Sequence, residues 1–202
     1  MKMIALTTAA LLAFSTPAFA KIATGSSVSD MTVVDSNGTS HNLSDFAGKR
    51  LVLEWTNEGC PYVKKHYKSD NMQDLQREAT ASDTDTVWLT VISSAPGKQG
   101  HVDGAGANAI VDKYDAAPTA VILDEDGVMG QAFSARTTPH MYIIDADQTL
   151  VYQGAIDDNS SSNVATIPGA TNYVREALAN LDAGVAVAVS DTQPYGCSVK
   201  YN

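Results

Sequence analysis

The chain lacks the features of membrane, nucleic-acid-binding and disulfide-stapled proteins. Its 202 residues contain two cysteines, Cys60 and Cys197, which are too few for a disulfide scaffold. Acidic residues outnumber basic ones by 23 to 13, and the net charge of −10 argues against nucleic acid and anionic membrane surfaces as partners. Beyond residue 20, no apolar run approaches the roughly 20 residues that a membrane span requires. We therefore expect no membrane and no nucleic-acid partner for that part of the chain.

The first twenty residues have the pattern of a secretory signal. Lys2 supplies a positive start, residues 3–14 form a short apolar run, and Ala18-Phe19-Ala20 fits the small-x-small cleavage rule. This pattern predicts that residues 1–20 are removed and that the protein is exported, to the periplasm or outside the cell, where disulfides persist. An uncleaved anchor is the alternative.

Strand and helix patterns alternate through most of the remaining chain. A hairpin over 31–43 is predicted from the Asn37-Gly38 turn, and a second hairpin over 141–154 precedes the last helix. Alternation predicts parallel pairing and the late hairpin adds antiparallel strands, so we expect an α/β fold with a mixed central sheet and helices on both faces. The predicted domain covers 21–182, and residues 183–202 form an extended tail with Cys197. The predicted strands between the hairpins are 51–55, 86–92 and 119–123. A helix is predicted from Pro61 onward, with a second helix or a kink from about Asp70, and further helices are predicted over 107–114, 127–133 and 170–181.

Cys60 stands where a buried strand leads into a helix. Leu51 to Trp55 is the strand, and Pro61 is typical of a first helical position. The sulfur is thus predicted at a helix N-terminus, where unpaired N–H groups favour the thiolate that attacks disulfides and peroxides. Lys64 adds positive potential and Glu58 opposes it. An inert buried cysteine, or one half of a static disulfide, is the alternative.

A second motif, Arg136-Thr137-Thr138-Pro139-His140, directly precedes a hydrophobic strand. Proline cannot donate to a sheet ladder, so it belongs at the first residue or the edge of a strand. A cis bond is one option, since about 5–6% of X–Pro bonds are cis, and an ordinary strand-entry proline is the other. Arg136 is a further candidate for positive charge near the thiolate.

In this order, the segments resemble the thioredoxin-like superfamily. The closer resemblance is to its redoxin branch, which includes the alkyl hydroperoxide reductase/thiol-specific antioxidant (AhpC/TSA, peroxiredoxin-like) proteins and exported thiol–disulfide oxidoreductases. The resemblance implies a thioredoxin-like fold in which Pro139 is cis and faces Cys60, while Thr138 offers its backbone to a disulfide partner. The segments that carry it are 33–38, 42–49, 53–55, 60–65, 138–145 and the strand that ends at Gly154.

Several positions depart from the family patterns. Val63 replaces the second cysteine of the thioredoxin signature, so a local disulfide is excluded. Asn57 stands where a peroxiredoxin has threonine or serine, and Thr56 is one residue further back. Arg136 is close to, but not at, the position of the peroxide-binding arginine. Peroxide reduction and disulfide exchange therefore both stay open. The residues expected to shape the site are Thr56, Asn57, Pro61, Thr138 and Pro139.

Cys197 lies next to Gly196 in the extended tail. If the tail folds back, this thiol resolves the oxidised or mixed-disulfide form of Cys60. A permanent Cys60–Cys197 bond that pins the tail, or pairing with another chain, are the alternatives.

Two function hypotheses follow. The first is an exported, redox-active thiol-dependent oxidoreductase, with Cys60 and Cys197 as its catalytic residues and a redox protein or a hydroperoxide as its partner. The second is a non-catalytic thioredoxin-like binding module with a structural Cys60–Cys197 disulfide. We expect no cofactor and no metal, because none of the four histidines has metal-ligand spacing with Cys60.

Overall fold

The computed structural model describes residues 21–81 and 84–202, so the predicted signal peptide lies outside the described residues. No helix within these ranges is long and apolar enough to cross a bilayer. The strands are β1 (Thr32–Val34), β2 (Ser40–Asn42), β3 (Arg50–Trp55), β4 (Thr86–Ile92), β5 (Ala120–Leu123), β6 (Thr137–Thr138), β7 (His140–Ile144), β8 (Leu150–Gly154) and β9 (Cys197–Ser198). The α-helices are α1 (Pro61–Tyr67), α2 (Asn71–Ala79), α3 (Gly104–Tyr114), α4 (Val128–Ala132) and α5 (Tyr173–Asp182), and 3₁₀ helices cover Leu43–Phe46 and Val164–Gly169.

The central sheet has the strand order β5-β4-β3-β7-β8. The strands β3, β4 and β5 run parallel, while β7 and β8 are antiparallel to their neighbours. The sheet is therefore mixed, as predicted, and β1 and β2 form the predicted N-terminal hairpin. The fold is thioredoxin-like and of the α/β class.

The two faces of the sheet bury different partners, because side chains alternate along each strand. Val52 and Trp88 face one side, where they pack with apolar residues of α1, α2 and α5. Leu53 and Trp55 face the other side, where they pack with Phe133 and other apolar residues near α4. Burial of each large apolar side chain contributes about 1.5–3 kcal/mol. Helices cover both faces, in agreement with the predicted architecture.

Two helices begin at residues other than those predicted, because side-chain caps set where they start. The helix α3 begins at Gly104, three residues earlier than predicted, because the Asp103 carboxylate accepts the Gly106 N–H at 2.8 Å. The helix α5 begins three residues later than predicted, because the Asn172 side chain accepts the Arg175 N–H at 2.9 Å. At α2, Asp70 precedes the helix in a left-handed conformation rather than as a side-chain cap.

The tail returns to the sheet. Residue Asp191 bridges Gln153 of β8 in parallel, and β9 then pairs with β6. The pair β6–β9 is antiparallel and joins Thr138 to Cys197. The tail therefore crosses the edge of the central sheet and ends beside the proline motif.

Candidate active site

The loop before Cys60 is built by Asn57. Its side-chain oxygen accepts the Gly59 N–H at 2.9 Å, and its backbone oxygen accepts the Cys60 N–H at 2.9 Å. Its amide donates to the backbone and side-chain oxygens of Gln99 at 3.1 and 3.2 Å. This side chain is buried and fully engaged, so Asn57 positions the cysteine loop. The sequence pattern carried no signal for the contact with Gln99, which lies on a distant loop.

Cys60 is the residue before the first turn of α1, with extended backbone angles and Pro61 at the next position. Burial alone raises the pKa of its thiol. Hydrogen bonds from the Cys197 thiol, from the N–H groups of Val63 and Cys197, and from Thr138 outweigh burial and hold the pKa of Cys60 below its usual value. Cys60 is thus the more acidic of the two thiols.

Pro139 follows a cis peptide bond after Thr138, as the family resemblance implied. Both residues are buried, and the Thr138 carbonyl oxygen lies 3.2 Å from Cys60 Sγ, where it accepts a hydrogen bond from the neutral thiol. The proline loop therefore faces Cys60. This carbonyl favours the thiol form, so the ionised form depends on the donors of α1 and the tail, which are the Val63 N–H and the Cys197 thiol and N–H.

Cys197 reaches the same place from the tail. Its pairing with Thr138 in the β6–β9 ladder sets its thiol beside that of Cys60, and both cysteines are free thiols. Burial, together with the neighbouring Cys60, raises the pKa of Cys197 to about 11. The pKa values of the two thiols are thus shifted in opposite directions, and Cys60 is the one whose thiolate is stabilised by its neighbours.

The backbone next to Cys197 requires a glycine. Gly196 has φ +131°, and a side chain there would collide with the Thr138 backbone oxygen. With the tail seated, Cys60 has 0% exposure. The tail therefore both supplies the second thiol and covers the first.

The other predicted residues lie around this pair. Thr56 is buried, and its N–H donates to Val91 O at 3.0 Å, which continues the sheet into the loop. Lys64 lies half-buried, and its charge helps to lower the pKa of Glu58. Arg136 is exposed. Neither cation is among the described groups that set the Cys60 pKa, so their electrostatic role stays a prediction.

The charge of Glu58, which would oppose a thiolate, has its own partner. Its carboxylate accepts hydrogen bonds from Lys113 Nζ at 2.9 Å and from the Tyr114 hydroxyl at 3.1 Å. Lys113 is the main cause that holds the pKa of Glu58 below its usual value. The carboxylate is therefore directed toward α3.

A buried polar cluster beside the cysteine pair was not predicted. It joins Lys65 and His66 of α1 to Asp157, which follows β8, and to Tyr195 of the tail. Consecutive charged residues on a short helix usually face water, so the local pattern gave no signal for their burial. The nearness of Tyr195 to Cys197 in sequence was the single available hint.

Solved structures of low sequence identity share the fold. A hypothetical protein from Sinorhizobium meliloti matches with a TM-score of 0.74 at 18% identity, covering 91% of this chain and 97% of that one. An uncharacterized conserved protein from Geobacillus kaustophilus also has a TM-score of 0.74, at 21% identity, covering 90% and 93%. A putative thiol:disulfide interchange protein DsbE from Chlorobium tepidum has a TM-score of 0.52 at 17% identity, covering 66% and 85%.

No curated protein matches the chain in sequence. The family model for Redoxin matches residues 23–170, which is more than half of the chain and includes Cys60 and the proline motif. Cys197 lies beyond the matched region. The chain belongs to the Redoxin family.

Proposed function

We propose that this redoxin is a thiol–disulfide oxidoreductase in which Cys60 attacks the substrate and Cys197 resolves the intermediate. The observation that carries the proposal is that β9 pairs Cys197 with Thr138, whose carbonyl oxygen lies 3.2 Å from Cys60 Sγ. The pKa of Cys60 is lowered and that of Cys197 is raised. The buried loop at Asn57 and the proline loop at Thr138 hold Cys60 between them.

The reaction has two exchange steps. The Cys60 thiolate attacks one sulfur of a substrate disulfide, and the first thiolate leaves and takes a proton from water. Cys197 then loses its proton to solvent and attacks Cys60 Sγ, which releases the second thiolate. The Cys60–Cys197 pair is oxidised by two electrons and the substrate is reduced to two thiols. An external dithiol or two thiols then reduce the Cys60–Cys197 bond to two thiols by the same kind of exchange and are themselves oxidised to a disulfide.

The surroundings of Cys60 favour a disulfide over a peroxide as substrate. Asn57 stands at the position where a peroxiredoxin has threonine or serine. Its side chain is already engaged in hydrogen bonds with Gly59 and Gln99. Arg136 is exposed. In peroxide reduction, the Cys60 thiolate would attack one peroxide oxygen, the O–O bond would break with release of water, and Cys60 would become a sulfenic acid. Cys197 would then condense with this sulfenic acid to give the disulfide and a second water. Peroxide therefore remains the second substrate class to be measured.

The experiment oxidises reduced protein with glutathione disulfide or with hydrogen peroxide and follows the products by quenched mass spectrometry. We expect wild type to form the Cys60–Cys197 bond. Cys197→Ser should stop at the glutathione adduct on Cys60. Cys60→Ser should form a glutathione adduct much more slowly than wild type does. The faster of the two oxidants identifies the substrate class.

The alternative, a binding module with a structural disulfide, makes a different prediction. Its bond would resist reduction by glutathione, and Cys197→Ser would accumulate no adduct at Cys60. Either result would remove the resolving role from Cys197.

We further propose that residues 1–20 are a cleaved signal and that the protein works outside the cytoplasm. The support is the charged, apolar and small-residue pattern of that segment. N-terminal sequencing of the protein made in a bacterial host tests this, and the expected first residue is Lys21. A chain that keeps residue 1 contradicts the cleavage.

A further inference from the structure

A charged pair is buried beside the two cysteines. Lys65 Nζ lies 3.1 Å from Asp157 Oδ2 and 2.9 Å from Asn159 O, and the side chains of Lys65 and Asp157 are 0% and 2% exposed. Taking both charges out of water carries a large desolvation cost, and an ion pair of this kind is weak evidence for stability. Its position therefore calls for a reason other than core stability.

The cluster is completed by a residue of the tail. The Tyr195 hydroxyl donates to Asp157 Oδ1, which also accepts the Asn159 N–H at 3.1 Å. His66 Nε2 lies 3.2 Å from the same hydroxyl, and Asn71 Nδ2 lies 2.8 Å from His66 Nδ1. Burial is the main cause that lowers the pKa of His66 to about 4, so the ring is neutral at neutral pH.

One order of donors gives each of these groups a partner. The Asn71 amide donates to His66 Nδ1, and the Nε2–H of His66 donates to the Tyr195 oxygen. Tyr195 then donates to Asp157, whose second oxygen accepts from Lys65. A buried network whose members all have partners favours one arrangement of its side chains. Here the arrangement fixes the tail to α1, the helix that Cys60 leads into.

We propose that Tyr195 is a positioning residue that seats Cys197 against Cys60 through the Lys65–Asp157–His66 cluster. This inference rests on the proposed function and names the residue that controls its second step. Tyr195 is two residues before Cys197, and its ring also packs edge-on against Tyr62 at 5.9 Å between centroids. Lys65 Nζ lies 5.5 Å from the centre of the same ring.

The ion pair suits a contact that must open and reform. Since Cys60 has 0% exposure under the tail, a disulfide substrate reaches it only when the tail lifts. Lifting removes Tyr195 from Asp157, yet Lys65 and the Asn159 N–H still hold the carboxylate in place. The acceptor for Tyr195 is therefore preserved while the tail is away, and the tail can return to the same seat.

The test is Tyr195→Phe, which removes the hydroxyl and keeps the ring. Loss of a hydrogen bond to a charged group should lower the ratio of seated to lifted tail by about tenfold or more. We expect the glutathione adduct on Cys60 to resolve more slowly, by up to about that factor, while iodoacetamide alkylates reduced Cys60 faster. Thermal unfolding followed by circular dichroism verifies that the variant is folded.

The comparison variant is Tyr201→Phe. Tyr201 is also in the tail, but its hydroxyl donates to a neutral acceptor, Ala135 O, at 2.9 Å. We expect a smaller effect than for Tyr195→Phe. Equal effects of the two variants, or adduct resolution at the wild-type rate in Tyr195→Phe, would overturn the role of Tyr195. If wild type itself forms neither the adduct nor the Cys60–Cys197 bond, it is the proposed function that fails.

Discussion

Each cysteine of the candidate site follows a glycine, and the two glycines meet opposite constraints. At Gly59, a side chain would meet the end of the Gln99 side chain, which is flexible. At Gly196, a side chain would meet the backbone oxygen of Thr138, and φ is +131°. The first obstacle is the end of a side chain, and Asn57 keeps its hydrogen bond to the Gln99 backbone oxygen at 3.1 Å when that end shifts. The second obstacle is backbone of the proline loop and cannot shift in this way.

The difference shows that the two thiols are held in different ways. Cys60 is set by the chain around it, since β3, the Asn57 loop and α1 are consecutive in sequence. Cys197 is set by contacts with distant elements, namely the Thr138 backbone and the cluster at Asp157. The proposed nucleophile thus lies on the scaffold, while the proposed resolving thiol lies on a tail strand that is held by distant elements.

The largest effect should come from Gly196→Ala, which disturbs the close approach of the tail to the Thr138 backbone. Strain at the unfavourable φ and the clash with Thr138 O cost about 1–3 kcal/mol. We expect formation of the Cys60–Cys197 bond by glutathione disulfide to slow by about 5- to 150-fold. Alkylation of reduced Cys60 should accelerate, because the tail no longer covers it. Both rates are measured by quenched mass spectrometry.

Two matched changes sharpen that result. Gly184→Ala also places alanine at positive φ, +68°, but a side chain there meets nothing within 4 Å. Gly59→Ala places alanine beside the other cysteine. We expect both variants to form the disulfide at close to the wild-type rate. A similar loss in all three variants would contradict the view that only the tail side depends on a close backbone approach.

A smaller effect is expected on the ionisation of Cys60. Cys197→Ala removes a thiol donor that stabilises the Cys60 thiolate, so the pKa of Cys60 should rise and less thiolate should be present at a given pH. The ultraviolet absorbance of the thiolate, corrected with Cys60→Ser, measures this midpoint. Cys197→Ser keeps a hydroxyl donor and should stay closer to wild type. An unchanged midpoint in Cys197→Ala would mean that the scaffold alone sets the acidity of Cys60.

Much of the fold was predictable because its signals are local. The strand Thr86–Ile92 is a run of β-branched and apolar residues, and it has the predicted bounds. The start of α1 at Pro61 follows from the fixed φ of proline. The helix starts at Gly104 and Tyr173 were misplaced by three residues because side-chain caps, rather than apolar spacing, decided them.

The thioredoxin-like fold and the place of Cys60 could be predicted from the order of residues, because strand pattern, proline and helix follow one another along the chain. The position of Cys197 and the contacts that hold it depend on long-range packing. Lys65 and Asp157 are separated by 92 positions, and Tyr195 and His66 by 129. No local periodicity encodes such contacts, since they exist only after the sheet has brought α1, the end of β8 and the tail together.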